Sequence, residues 1–430
     1  MYGVRMRSLP RALHPFRQRH YRWLAASLTL SLLSEGMWLV GAVWQVVHLH
    51  GGPSSVSMVT TGAAVGLLAT VLLGGAIADR IPQRRILMTV EAVRMLVLAA
   101  AASLAALGLL TIWQLALVSL VAGLASGLYF PAYSALLPAL VPARDLLPAN
   151  GIEGVLRPIV LQAAGPAIGG ALVAAIAPSA ALGAAACASA AAGLCIAALP
   201  TMAVRRDLSH ESSDLHPIRH MLHDIAEGFR YMVRTRWLLV TVLYASAMIL
   251  FVMGPLEVLV PFAVRDRAGG GPQQHALVLA AFGTGGALAS ITMASLPLPR
   301  RYLTVMNVMW GFGSLPLIVF GVSTHLSVML VGAFLTGAMF NAPMVIWGTL
   351  LQRRVPPELL GRVSSLDFFV SLTLMPVSMA LAGPVAETVG LTATFLVAAI
   401  APVGIIAIVL AVGGLQRDEL EHPLDEHDAG

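Results

Sequence analysis

Long apolar runs, each closed by a short polar cluster, follow one another along the whole chain. They lie near 23–48, 56–78, 86–109, 112–139, 152–177 and 179–199, and again near 237–263, 275–296, 302–322, 326–350, 364–386 and 391–414. Each has the ~20 residues that a helix needs to cross a hydrocarbon layer. A chain in lipid must satisfy its own backbone hydrogen bonds, so runs of this length and composition predict helices. The expected fold is all-α and integral to a membrane: twelve transmembrane helices in two six-helix bundles. The boundaries expected are a basic arm over 1–22, a first bundle over 23–199, a linker over 200–236, a second bundle over 237–414 and an acidic tail over 415–430. In the linker, Ile218, Met221, Leu222, Ile225, Phe229, Met232 and Val233 recur at helical spacing, which predicts an amphipathic helix on the membrane surface. No strong residue-level repeat links the halves. The loop after the eighth run, Pro297-Leu298-Pro299-Arg300-Arg301, shares only its basic end with the loop after the second.

Charge sets the orientation. All 26 basic residues are arginine, and placing both termini in the cytoplasm puts 22 of them on cytoplasmic segments, two (Arg265, Arg267) in an external loop and two (Arg94, Arg157) inside helices. That asymmetry is the positive-inside pattern. Residues 1–22 carry six arginines and no acid, which suits contact with anionic lipid headgroups. With 58% hydrophobic and 11% charged residues, against about a quarter charged in soluble domains, the basic balance reflects topology and not a nucleic-acid partner. The first apolar run exceeds a signal-peptide core and no small-residue cleavage site follows it, so it is read as a retained helix.

Several chemistries are missing from the sequence. There is no phosphate-binding glycine-lysine-serine/threonine loop, no Gly-x-Ser-x-Gly elbow and no histidine/cysteine/acid cluster with metal-ligand spacing. Cys187 and Cys195 lie about 12 Å apart along one helix, too far to bond. The chain is therefore not expected to be an enzyme, and neither a cofactor nor a metal is expected.

The loop after the second run reads Gly75-Ala76-Ile77-Ala78-Asp79-Arg80-Ile81-Pro82-Gln83-Arg84-Arg85. Glycine permits close helix approach, and the aspartate can cap a helix or pair with arginine. The element resembles the signature of the major facilitator superfamily between helices 2 and 3, with Pro82 and Gln83 departing from the usual glycine and basic residue. The resemblance implies a cytoplasmic latch between two six-helix halves, built from Gly75, Asp79, Arg80, Arg84 and Arg85. It also implies that Glu91 and Arg94 join that gate network, beside the simpler reading of a plain ion pair. Further on, Phe130-Pro131-Ala132-Tyr133, Leu136-Leu137-Pro138-Ala139-Leu140-Val141-Pro142, Ala149-Asn150-Gly151, Leu351-Gln352, Val355-Pro356 and Gly361-Arg362-Val363 resemble the branch containing macrolide-efflux proteins, the enterobactin exporter and actinobacterial multidrug exporters. Gly165, Pro166, Gly169 and Gly170 look like the antiporter motif of helix 5, with Leu161 in place of an upstream glycine.

Ionisable residues within spans are costly and point to function. Glu35, twelve residues past Trp23, falls about 18 Å along the first helix, near the middle of the bilayer core. Ser27, Ser31, Glu35, Trp38, Ala42 and Gln45 form a polar stripe expected to face a central cavity. Glu35 is the foremost candidate for carrying a coupling proton or meeting a cationic substrate; its alternative is a hydrogen-bonded packing role. Glu257 and Arg157 are secondary candidates, with an interfacial acid and a tuning cation as their respective readings. Trp38, Gln45, Tyr129, Tyr133, Asn341 and Trp347 are candidate cavity residues, although aromatics in spans also serve packing. The expected function is export of small amphipathic, drug-like molecules by proton antiport from a bacterial inner membrane, as a monomer with alternating access. A siderophore or lysolipid transporter on the same scaffold, and a membrane receptor that never transports, remain open beside it.

Overall fold

The computed structural model describes residues 11–78, 81–200 and 217–424. Among these residues there are twelve helices long and apolar enough to span a membrane. They are α1 (Arg19–His48), α2 (Pro53–Ala78), α3 (Gln83–Ala106), α4 (Ile112–Leu140), α5 (Pro148–Ala175), α6 (Pro178–Ala197), α7 (Arg236–Ala268), α8 (Pro272–Ser295), α9 (Tyr302–Val322), α10 (Leu326–Arg354), α11 (Leu359–Val389) and α12 (Leu391–Val412). Proline opens α2, α6 and α8, at the helix position where a missing N–H leaves no bond unmade.

α1, α3, α4, α5 and α6 pack among themselves with α2 against α4, while α7 to α12 form a second group. The groups meet along two seams, α2 on α11 and α5 on α8. Within each group the tightest pair is built alike. A Cβ placed on Gly74 of α2 would lie 2.7 Å from the Gly127 carbonyl of α4, and one on Gly285 of α8 would lie 3.0 Å from the Phe334 Cα of α10. Lipid tails give no hydrophobic gain for helix association, so small residues that let backbones touch must supply it through dispersion.

A repeat invisible in the side chains thus appears in the helix register. α4 and α10 are both 29 residues long. An offset of 214 carries Ile112–Leu140 onto Leu326–Arg354, Gly123 onto Gly337, and the Val141-Pro142 turn onto Val355-Pro356. The two turns have similar backbones, φ −125°, ψ 139° at Val141 and φ −94°, ψ 133° at Val355. Extended valine before proline is what the proline ring enforces, and it ends both helices at one place.

Four spans depart from regular α-helix: α9 carries a 3-10 turn over Leu315–Leu317, α11 breaks at 373–374, and two others widen. α5 widens into a π-helix over Arg157–Ala164, and α7 does so over Pro255–Leu259. The expected linker helix is observed over Pro217–Arg234. It docks on α11, where Glu227 pairs with Arg362, and on the end of α10, where the Tyr231 hydroxyl donates to the Arg354 carbonyl at 3.3 Å. Inside the segment expected as a tail, Leu415–Glu421 is helical, and Glu419 accepts from the Thr304 N–H and hydroxyl at 3.0 and 2.6 Å near the start of α9.

Candidate functional site

A cavity of about 360 Å³ lies between the two groups of helices. From the first half it is walled by Glu35, Trp38 and Ala42 of α1, Thr60 and Leu67 of α2, Arg94 of α3, Ser126 of α4 and Gln162 of α5. From the second half come Leu256 and Glu257 of α7, His275 and Phe282 of α8, Phe320 of α9, Thr336 of α10, and Met375 and Met379 of α11. The surface is mostly apolar with a few polar groups, as small-molecule sites are. The two methionines give one wall an unbranched, polarisable lining that adapts to varied shapes.

The charges concentrate on one side. Arg94 Nη2 donates to Glu35 Oε2 at 3.0 Å and to Ser126 Oγ at 3.1 Å, while Nη1 donates to Ser31 Oγ at 3.0 Å. Ser31 in turn donates to Glu91 Oε1 at 2.6 Å, and Arg94 Nη1 stands 4.0 Å from that oxygen. The Glu91 side chain is fully buried and that of Arg94 nearly so, whereas that of Glu35 keeps 39% of its surface open to the cavity. One guanidinium thus holds two carboxylates, one sealed and one reachable. With both acids ionised the trio carries one net negative charge, which a single proton or a cationic ligand at Glu35 would cancel.

Glu257 enters the same cavity from the π-helical turn of α7. Among the described residues it has neither a hydrogen-bond partner nor an ion pair. The wide turn over Pro255–Leu259 is the distortion that separates this cavity position from the interfacial one a regular helix would give.

Other candidates fall elsewhere. Glu91 and Arg94 were expected beside the loop latch; α3 instead carries them to Glu35 and the cavity. Arg157 pairs at 3.5 Å with Glu153, as their four-residue spacing leads one to expect, and lies over the Phe130 ring at 4.6 Å, off the cavity wall. Of the six proposed cavity residues only Trp38 lines it. Gln45 is buried within the packing of α1. Tyr129 and Tyr133 stack at 6.1 Å in the core of the first half, Asn341 donates to the Gly337 carbonyl of its own helix, and Trp347 donates to Asp367 Oδ2 at 2.8 Å. Asp79 and Arg80 lie outside the described residues, as does the arm over 1–10. Gly75 sits in the last turn of α2. Arg84 donates to the Ile196 and Ala197 carbonyls at 3.2 and 2.7 Å, capping the end of α6, where a cation meets the negative pole of the helix.

The helix 5 motif is a packing device on two sides. Cβ atoms built on Gly165 and Gly169 would come within 2.8 Å of Gly36 Cα and 3.0 Å of Met37 Cα, and one on Gly170 within 2.8 Å of the Pro272 carbonyl of α8. Pro166 is buried against the same stretch of α1.

At the arginine-poor face the halves are closed on each other. The Ser54 N–H and hydroxyl donate to the two oxygens of Glu387 at 2.9 and 2.5 Å, the Gly383 N–H donates to Ser57 Oγ at 2.8 Å, and Trp44 Nε1 donates to His275 Nδ1 at 3.4 Å. Glu387 here accepts from the first turn of α2, where unpaired N–H groups favour an anion. At the arginine-rich ends of α5 and α11, Cβ atoms at Gly151, Gly154 and Gly361 would meet nothing within 4 Å. Sequence reading missed Ser54, Ser57, His275, Ser126, Gln162 and Glu387; apart from Ser126, each is a lone polar residue near a span end or a helix distortion.

A family model described as transmembrane secretion effector, of the major facilitator type, matches residues 11–424. The chain belongs to the major facilitator superfamily. It is 27% identical over 395 residues to the multidrug efflux pump Tap of Mycolicibacterium fortuitum, covering 87% of this chain and 90% of that one. It is 21% identical over 387 residues to macrolide efflux protein A of Streptococcus pyogenes, covering 86% and 90%. Its fold resembles a crystal structure of a mutant form of the nucleoside transporter NupG, with a TM-score of 0.73 at 13% identity over 91% of this chain and 98% of that one. It is a multi-pass membrane transporter and not an enzyme.

Proposed function

We propose that this protein exports amphipathic, drug-like molecules across a bacterial cytoplasmic membrane, as a monomer, by exchanging them for protons that move inward. The observation that carries the reading is the Glu35–Arg94 pair, at 3.0 Å, on the wall of a cavity between two halves. A reachable carboxylate and a captive guanidinium form a switch: a proton on Glu35 removes its charge, weakens the pair and leaves Arg94 to Glu91 and Ser31. Cargo and proton then compete for one net negative charge, which is the requirement for antiport. The two efflux relatives favour a drug-like cargo over a siderophore or lysolipid.

The alternating step follows from the seams. Parting Ser54 from Glu387 and Ser57 from Gly383 would open the arginine-poor face, while the latch residues Gly75, Asp79, Arg80, Arg84 and Arg85 would join the halves at the other. In proteoliposomes carrying an imposed pH gradient and challenged with a panel of amphipathic drugs, the wild type is expected to accumulate cargo on the acidic side. Glu35→Gln is expected to lower that proton-driven rate at least tenfold while leaving downhill cargo exchange in place. Unchanged driven transport in this variant would remove Glu35 from coupling, and no proton flux with any cargo would remove antiport.

A further inference from the structure

The register offset that links the halves also pairs two acids that the reading above leaves unused. An offset of 214 carries Tyr133 onto Trp347, Glu153 onto Asp367 and Arg157 onto Ser371. The helical segments that hold the acids begin at Ala143 and Pro357, again in register. Each acid is thus about 15 Å along from the arginine-rich end of its helix.

The frames match and the charges do not. Glu153 has Arg157 one turn on, at 3.5 Å, so a cation accompanies it wherever α5 goes. Asp367 accepts from the Trp347 indole N–H at 2.8 Å and from the Ser371 hydroxyl at 3.3 Å. Serine occupies the position where the first half has a guanidinium.

The cations around Asp367 are engaged elsewhere. On α10, Arg354 pairs with Asp418 at 2.5 Å and covers the Trp237 ring at 4.6 Å, and Arg353 donates to the Leu424 carbonyl. On α7, Arg236 donates to the Val412 carbonyl. Arg362 of α11 pairs with Glu227 of the linker helix, whose Arg230 and Arg234 face outward. α2, which also touches α11, contributes no charged residue over Pro53–Ala78. Among the described residues no ion pair reaches Asp367.

We infer that Asp367 is a proton-exchange site of the second half, whereas its counterpart Glu153 keeps its charge through Arg157. A carboxylate withdrawn from water must be paired, hydrogen-bonded or neutralised. Asp367 is half-buried; two neutral donors meet part of that requirement, and with no cation in contact among the described residues a proton is what cancels the remaining charge. Trp347 can only donate. Its bond to Asp367 is charge-assisted while the acid is ionised and weakens to an ordinary one when a proton arrives. Trp347 is therefore a positioning residue that registers the state of the site. The inference needs no cargo, so it stands or falls apart from the transport reading.

The test is pH-difference infrared spectroscopy on the full-length protein in lipid nanodiscs, without added ligand. In a Glu35→Gln/Glu257→Gln background, which removes the two cavity acids, the expected spectrum contains a protonated-carboxyl C=O component that vanishes in Asp367→Asn, persists in Glu153→Gln and shifts in Trp347→Phe. The halves can also be exchanged chemically. Ser371→Arg supplies the missing cation and is expected to abolish the component, while Arg157→Ser is expected to create a second one that disappears when Glu153→Gln is added. A component that survives Asp367→Asn, or that is lost equally in Glu153→Gln, overturns the inference. Asp367→Asn is nearly isosteric and keeps an acceptor for Trp347, so the decisive variant does not depend on tolerance of a larger side chain.

Discussion

The two halves of this transporter share a frame and divide its electrostatics unequally. In the first half Glu35 and Glu91 share Arg94, and Glu153 has Arg157, while the buried Asp145 just ahead of α5 has no ion pair among the described residues. In the second half, Glu257 enters the cavity alone and Asp367 meets only an indole and a hydroxyl. α4 and α10, of equal length with glycines in register at 123 and 337, are the part of the frame that the halves share. The duplicated element is the packing of small residues, and charge was laid over it independently on each side. Both halves then present an acid to the cavity, Glu35 beside a captive guanidinium and Glu257 without one, so what neutralises each acid differs.

The largest expected effect tests that division directly. Arg94→Met leaves Glu91 buried without its cation, and removing one partner of a buried pair costs about 3–5 kcal/mol, which should appear as a large fall in the thermal unfolding midpoint in detergent. Glu257→Leu removes an acid without a partner and is expected to leave that midpoint unchanged or raised. Comparable losses for both would erase the distinction between halves.

The shared frame is probed by Gly123→Leu and Gly337→Leu, which force side chains into the α2–α4 and α8–α10 contacts. Overpacking costs about 1–3 kcal/mol, and the two substitutions are expected to lower thermal stability by similar amounts; a large disparity would mean that the seams are not equivalent. The smallest effect is expected at the arginine-poor face. Glu387→Gln weakens the bonds to Ser54 by about 0.5–1.5 kcal/mol, a shift of several-fold toward the state open on that side. Labelling of cysteines introduced near the cavity by a membrane-impermeant reagent would read it out.

Much of the fold was legible because depth in a membrane is a matter of counting. Twelve runs gave twelve spans, and Glu35 stood out as an acid where hydrocarbon excludes one. Azimuth was harder to read. Gln45 continues the stripe of Glu35 on paper, but α1 turns that part of the stripe into the protein core, so Gln45 is buried while Glu35 and Trp38 reach the cavity. Tyr129, Tyr133, Asn341 and Trp347 were correctly deep and face their own half. Arg94 was credited to the latch network by the family resemblance, beside the reading of a plain ion pair with Glu91; its bond to Glu35 across α1 and α3 follows from no local pattern. Glu257 was weighed evenly between an interfacial and a functional acid, because a regular helix puts it near the outer boundary and only a distortion at Pro255 or Pro261 brings it to the lumen. The seam hydrogen bonds of Ser54, Ser57 and Glu387 join residues more than 300 positions apart, and no local pattern announces such a pair.

The wide turns in α5 and α7 also set how these walls are able to deform. A π turn accommodates one residue more than the helix on either side requires, and passing that surplus along by one position rotates the intervening residue by about 100° and advances it by about 1.5 Å. No side chain need leave the protein, and only a few backbone bonds exchange partners. In α7 such a slip would swing Glu257 away from the lumen while the ends of the helix stayed anchored. The acid could then be presented or withdrawn by the helix itself, within either orientation of the two halves.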